Sequence, residues 1–192
     1  MRTHRLSAPI RPGATEPLSA GDRVLLSGTV YTARDAAHER LARLLAEGGE
    51  LPFDPKGAVV YYVGPSPAPP GMPVGSAGPT TSYRMDPYTP PLLRAGVRAT
   101  VGKGPRGPRV RRAMLDAGAV YLAAIGGAAA CMAEAVVSST VVAYPELGAE
   151  AVRRLEVSEM PLFVVNDLRG GDLFEAGVAE YGRRPRLHRQ KL

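Results

Sequence analysis

Residues 22–45 read DRVLLSGTVYTARDAAHERLARLL, and the apolar period changes midway along them. The first half holds two β-prone runs, residues 24–26 and 29–31, hinged at Gly28. Ala37, Leu41, Leu44 and Leu45 then recur at i, i+4, i+7 and i+8, the stripe of an amphipathic helix. Thr32, three residues before Asp35, reads as a variant of the capping box, and Gly48 with Gly49 as the C-terminal stop. A strand that runs straight into a helix of this kind is the unit of a domain in which both elements are interspersed.

The rest of the chain repeats the alternation. Residues 58–63 (AVVYYV) form an apolar run expected to be a buried strand. A short helix ending near Gly96 starts either at Asp86 and Pro87, as cap and first residue, or at Thr89. Residues 98–101 predict a strand running into Gly102-Lys103-Gly104, residues 110–117 a helix and residues 119–125 another strand. Gly126-Gly127 opens an alanine-rich helix to about Val137, and further strands are expected over 140–144, 152–157 and 161–167. The pattern predicts one α/β or α+β domain over residues 18–178, after an N-terminal extension (1–17) and before a basic tail (179–192).

Composition limits the function classes. With 45% hydrophobic and 22% charged residues the chain reads as soluble and globular, and no apolar run approaches the length of a membrane span. The N-terminal residues lack a signal-peptide core, so a cytoplasmic location is expected. The one cysteine, Cys131, excludes an internal disulfide and any multi-cysteine metal site, and the three histidines lack ligand spacing. A metal used in the function must therefore come largely from another chain. The net charge of +6 lies in the tails: Arg2, Arg5 and Arg11 outweigh Glu16, and four arginines with Lys191 outweigh Glu180. Residues 17–179 are neutral overall, which argues against nucleic acid and for solvated termini.

Chemistry concentrates in residues 78–91, GPTTSYRMDPYTPP, at the end of a long Pro- and Gly-rich loop. Gly78 and Pro79 suit a turn and Asp86 a helix cap, while Tyr83 and Met85 are expected to pack the loop. Thr80, Thr81 and Arg84 have no such simple structural use: they offer two hydroxyls and a guanidinium fork suited to a carboxylate. Arg34, in the first turn of the proposed helix, has two readings. It pairs locally with Asp35 or Glu39, or it joins the helix N-terminus in holding an anion. Lys103, between glycines at a strand end, is a point charge at a place of close backbone approach. His38 reads as a structural histidine and Cys131 as a small core residue.

Taken together, SGTVYTARDAAHERL, GSAGPTTSYRMDPYTPPLLRAG, VGKG, AVYLAAIGGAAA, YPELGAEAVRRLEV and MPLFVVND resemble the β subunit, or C-terminal domain, of class I iron–sulfur hydro-lyases. That family comprises oxygen-sensitive fumarate hydratases and L(+)-tartrate dehydratases, and the stretches follow its order from about residue 18 to about residue 175. The resemblance implies a swivelling β/β/α-type domain with a mixed sheet and flanking helices. It implies a partner α subunit carrying a 4Fe–4S cluster, none being bound by this chain, and an α2β2 assembly. It implies further that Arg34, Thr80, Thr81, Arg84 and Lys103 face a short dicarboxylate, with Thr80, Arg84 and Lys103 acting in catalysis. The expected reaction is the reversible hydration of fumarate to L-malate. Tartrate or a methylated dicarboxylate is the alternative substrate, and a non-catalytic ligand-binding or assembly module is the alternative of another class.

Overall fold

The computed structural model describes residues 1–125, 127 and 129–182. Its strands are β1 (Thr3–Ala8), β2 (Arg23–Thr32), β3 (Val59–Tyr61), β4 (Ala99–Gly102), β5 (Val120–Ala123), β6 (Val136–Ala143) and β7 (Val152–Asn166). The helices are α1 (Asp35–Ala46), α2 (Thr89–Ala95), α3 (Pro108–Ala117), α4 (Ala129–Glu134) and α5 (Leu173–Tyr181), with 3-10 turns at Ser82–Met85 and Pro145–Glu150. Strands β1 to β5 run parallel in sequence order, and β7 lies antiparallel to β2, β5 and β6. Because β7 bonds both β2 and β5, the strands β2-β3-β4-β5-β7 close into a ring, leaving β1 and β6 as edges. This is the mixed sheet flanked by helices that the sequence predicts.

The run AVVYYV shows why closure works. Val59, Tyr61 and Val63 point into a core shared with Val24, Leu26, Val120, Leu122 and Leu162. Val60 and Tyr62 point the other way, under helices, among Leu41, Leu92, Val110 and Met114. A strand buried on both faces needs apolar residues at every position, so alternation disappears from its sequence. No helix among the described residues is long and apolar enough to cross a membrane.

Several sequence expectations are corrected. Residues 1–17 are not a simple extension: β1 pairs with Arg23 to Gly28 of β2 and buries Leu6 and Ala8. Its outer face is polar (Thr3, Arg5, Ser7), so the half-buried strand THRLSA carries too weak an apolar signal to be read. Gly28 accommodates this pairing. It sits at φ +102°, and a Cβ there would lie 2.1 Å from the Ala8 carbonyl oxygen. Thr32 does not cap α1; its hydroxyl donates to the Ala151 carbonyl and accepts from Arg153 N–H, tying β2 to the start of β7. The segments read as two strands, 152–157 and 161–167, are one 15-residue strand bulged opposite Ser27, whose Oγ accepts the Glu159 N–H at 2.9 Å. Helix α4 stops at Glu134 and β6 begins at Val136, earlier than expected. Cys131 is exposed, not core. Helix α5 crosses the expected boundary at residue 178. Gly126 and residues 183–192, hence part of the glycine pair and most of the basic tail, lie outside the described residues.

Candidate active site

The predicted residues gather at one end of the sheet, the C-terminal ends of adjacent parallel strands, where open and closed parallel α/β sheets alike place their ligands. Arg34 follows β2 directly and stands at the N-cap of α1. Thr80 is held to the end of β3 by its N–H, which donates to the Tyr62 carbonyl at 2.6 Å. Lys103 follows β4 and is laced to the same loop: its N–H donates to the Thr80 carbonyl (3.2 Å), and its carbonyl accepts from Ser82 N–H (2.8 Å). Thr81 and Lys103 thereby form an isolated parallel bridge, a fragment of strand added beyond β3 and β4.

The frame beneath this loop is buried and densely bonded. Ser82 Oγ lies 2.8 Å from Tyr121 Oη, which donates in turn to the Gly104 carbonyl at 2.8 Å. Gly102 permits this closeness, since a Cβ there would sit 2.0 Å from Ser82 Oγ. Arg106, missed by the sequence reading, has a side chain with no exposed surface. Its Nε donates to Asp86 Oδ1 at 2.8 Å, and its terminal nitrogens to Tyr62 Oη (2.8 Å) and Thr89 Oγ1 (2.7 Å). Burial works against this cation, but Tyr62 and the Asp86 carboxylate outweigh it and raise the pKa. Asp86 therefore anchors Arg106 and the Gly107 N–H instead of capping a helix, and α2 begins at Thr89, the second of the two starts. No motif flags Arg106 in the sequence; the unusual density of polar groups in residues 80–89 is the available hint. Met85 is buried as expected, whereas Tyr83 is 60% exposed.

Above the frame, charged groups meet. Arg84 Nη2 lies 2.8 Å from Asp35 Oδ2 without hydrogen-bond alignment, so that oxygen is buried and unbonded although closely ion-paired. Arg34 Nη2 lies 3.8 Å from the same oxygen and 3.5 Å from Glu150 Oε1. Both readings of Arg34 thus meet in one place. It pairs with Asp35, not Glu39, and the free N–H of Ala36 at the helix start is taken by Glu150 Oε2 at 3.1 Å. Glu150, from the turn after β6, is a second residue the sequence reading missed, being distant in sequence. Arg34 Nε stays buried without a partner. Among the described residues, the hydroxyls of Thr80 and Thr81 have no hydrogen bond and the Lys103 ammonium no ion pair.

His38 is the structural residue expected. It is buried, it lies edge-on to Tyr62, and its Nδ1 is 3.0 Å from the Arg34 carbonyl, so the neutral ring donates there. Burial pushes its pKa down to about 4, against a smaller upward pull from that carbonyl. The folded value lies below the unfolded one, so nothing is lost above pH 6.5. Below it the unfolded chain gains a proton that the folded chain refuses. Between pH 7.5 and 5 the loss from His38 is expected to be about 2 kcal/mol. Urea unfolding at the two pH values should show a smaller drop for His38→Gln than for the unmodified chain; equal drops refute the assignment.

The described residues contain no group of three His, Cys, Asp or Glu able to hold a metal ion. The face brings together the guanidinium groups of Arg34 and Arg84, the Lys103 ammonium and two threonine hydroxyls, chemistry suited to an anionic ligand. Comparison with known proteins places it: residues 5–177 match the family described as Fumarase C-terminus, and the chain belongs to that family. It is 42% identical over 155 residues to "Fumarate hydratase class I, anaerobic" of Escherichia coli, covering 80% of this chain and 28% of that protein. It is 40% identical over 161 residues to "Fumarate hydratase 2" of Leishmania major, covering 83% and 28%. To "Putative L(+)-tartrate dehydratase subunit beta" of Methanocaldococcus jannaschii it is 38% identical over 164 residues, covering 82% and 84%. The chain thus spans only 28% of the length of the two fumarate hydratases.

Proposed function

We propose that this chain is the β half of a cytoplasmic hydro-lyase that adds water reversibly across the double bond of fumarate to give L-malate. An α subunit supplies the rest of the enzyme, including a 4Fe–4S cluster, in an α2β2 assembly. One observation carries the reading. Amid a densely bonded frame, the hydroxyls of Thr80 and Thr81, the Lys103 ammonium and the buried Arg34 Nε keep unused hydrogen-bonding capacity, beside an Asp35 Oδ2 that is ion-paired but likewise unbonded, all at the C-terminal end of the parallel strands. The chain's one cysteine is exposed, and among the described residues no group of three His, Cys, Asp or Glu gathers, so the residues of this chain do not fit a cluster.

The chain's own residues bind and balance charge. Arg34 and Arg84 receive the carboxylates, exchanging Asp35 and Glu150 for substrate. Lys103 stabilises the negative charge that grows on the carboxylate beside C3 as its proton leaves. Thr80 stands at the proton-transfer position and Thr81 supplies a second hydrogen bond. Water adds as hydrogen at C3 and hydroxyl at C2, and elimination reverses both. A second reading, tartrate as substrate, is favoured by the tartrate dehydratase subunit, which alone of the three relatives matches over most of its length.

Anaerobic co-expression with the α-subunit candidate of the same organism tests this, with assays on fumarate, malate, tartrate and mesaconate. The assembled pair should hydrate fumarate fastest, and the chain alone should bind no iron and show no activity. Activity of the chain alone, or none in the assembled pair, overturns the proposal.

A further inference from the structure

The two edge strands of the sheet are treated very differently. Edge strands expose unpaired backbone groups, and stable monomers blunt them with charge. β1 is blunted in this way, by Arg5 paired with Glu159. β6 is not. Residues 117–145 contain a single charge, Glu134, and β6 itself reads VVSSTVVA. Yet this strand is largely exposed, with Val137 at 65% and Val141 at 38%. Ile125, just beyond β5, is 51% exposed beside it, because β5 and β6 pair with successive stretches of the same edge of β7. Depletion of charge, more than bulk hydrophobicity, marks the centre of a protein interface.

Resting on the two-part reading above, we infer that this uncharged face of β6, with Ile125 beside it, is where the α subunit docks. Two features favour that occupant over others. The face is continuous with the site. The turn that follows β6 delivers Glu150 to Arg34, and Ala129 of α4 accepts the Ala77 N–H at 3.0 Å beside the loop that carries Thr80. A partner seated here lies next to the turn that carries Glu150 and to the helix bonded to Ala77. The fumarate hydratases, in addition, carry this region as 28% of a longer chain, so in them a covalently joined remainder must cover some face of it. Irregularities at both ends of β6 confine regular backbone pairing to its middle, so side-chain packing of the valines supplies most of the contact.

The test uses the full chain co-expressed anaerobically with the same α-subunit candidate, as the unmodified protein and as Val137→Asp and Val141→Asp. Val178→Asp, at a 73% exposed position on α5, is the control. Sedimentation should show at least tenfold weaker assembly for the two β6 variants and none for the control, with unchanged unfolding midpoints for each chain alone. Assembly of both β6 variants at the unmodified strength overturns the inference while leaving the two-part enzyme standing. A chain that instead self-associates through this face, with α assembly unaffected by the variants, assigns it to a second copy and also overturns the inference. If the unmodified chain does not assemble with α at all, both readings fall.

Discussion

Arg84→Ala in the assembled enzyme is expected to lower kcat/KM by on the order of 10²–10³-fold, the range found when one preorganised donor to a developing charge is removed. Arg84 sits on a 3-10 turn fixed from below by Ser82 and Asp86, while its own side chain is 44% exposed and ion-pairs with Asp35. Its removal takes a cation from the ligand face without unpinning the loop, so assembly and unfolding midpoint should not change. Arg84→Lys should recover only part of the activity, because an ammonium cannot grip a carboxylate with two parallel donors. Turnover within threefold of the unmodified enzyme would show that Arg84 does not hold substrate.

Arg106→Leu should have the largest effect on stability, about 3–5 kcal/mol, the usual cost of removing one partner of a buried ion pair. The loss strands the Asp86 carboxylate and removes the donors to Tyr62 Oη and Thr89 Oγ1 together. Urea denaturation of the isolated chain measures it. A change below 1 kcal/mol would mean that water replaces the guanidinium without difficulty, and that the turn bearing Arg84 is held by other contacts. Arg106→Lys should fall between, keeping the charge but not the spread of donors to three separate groups.

What the sequence made legible follows from range. Strand β3 and helices α1 and α3 announce themselves through local apolar pattern, and the structure contains each of them. The loop with Thr80, Thr81 and Arg84 was legible because no local structural role used up its polar groups. Arg106 and Glu150 were not, since each acquires its role only by contact with residues 20 and over 110 positions away. Strand β1 escaped for the opposite reason: its polar outer face dilutes a burial that depends wholly on β2. Asp86 shows a local rule overridden, its carboxylate serving a buried arginine where a helix cap was the simpler reading.

The closed ring of strands also sets a length scale. Arg34, Thr80 and Lys103 stand at the ends of three neighbouring strands, and hydrogen-bonded strands keep a pitch of about 4.8 Å. Their backbone attachment points are spaced like marks on a ruler that cannot slide, since each of these strands is bonded on both sides. Which ligand this face accepts is then set by side-chain reach and by what a facing surface adds, not by movement of the sheet. Related chains that prefer different substrates should differ in the loops above the ruler and keep its spacing.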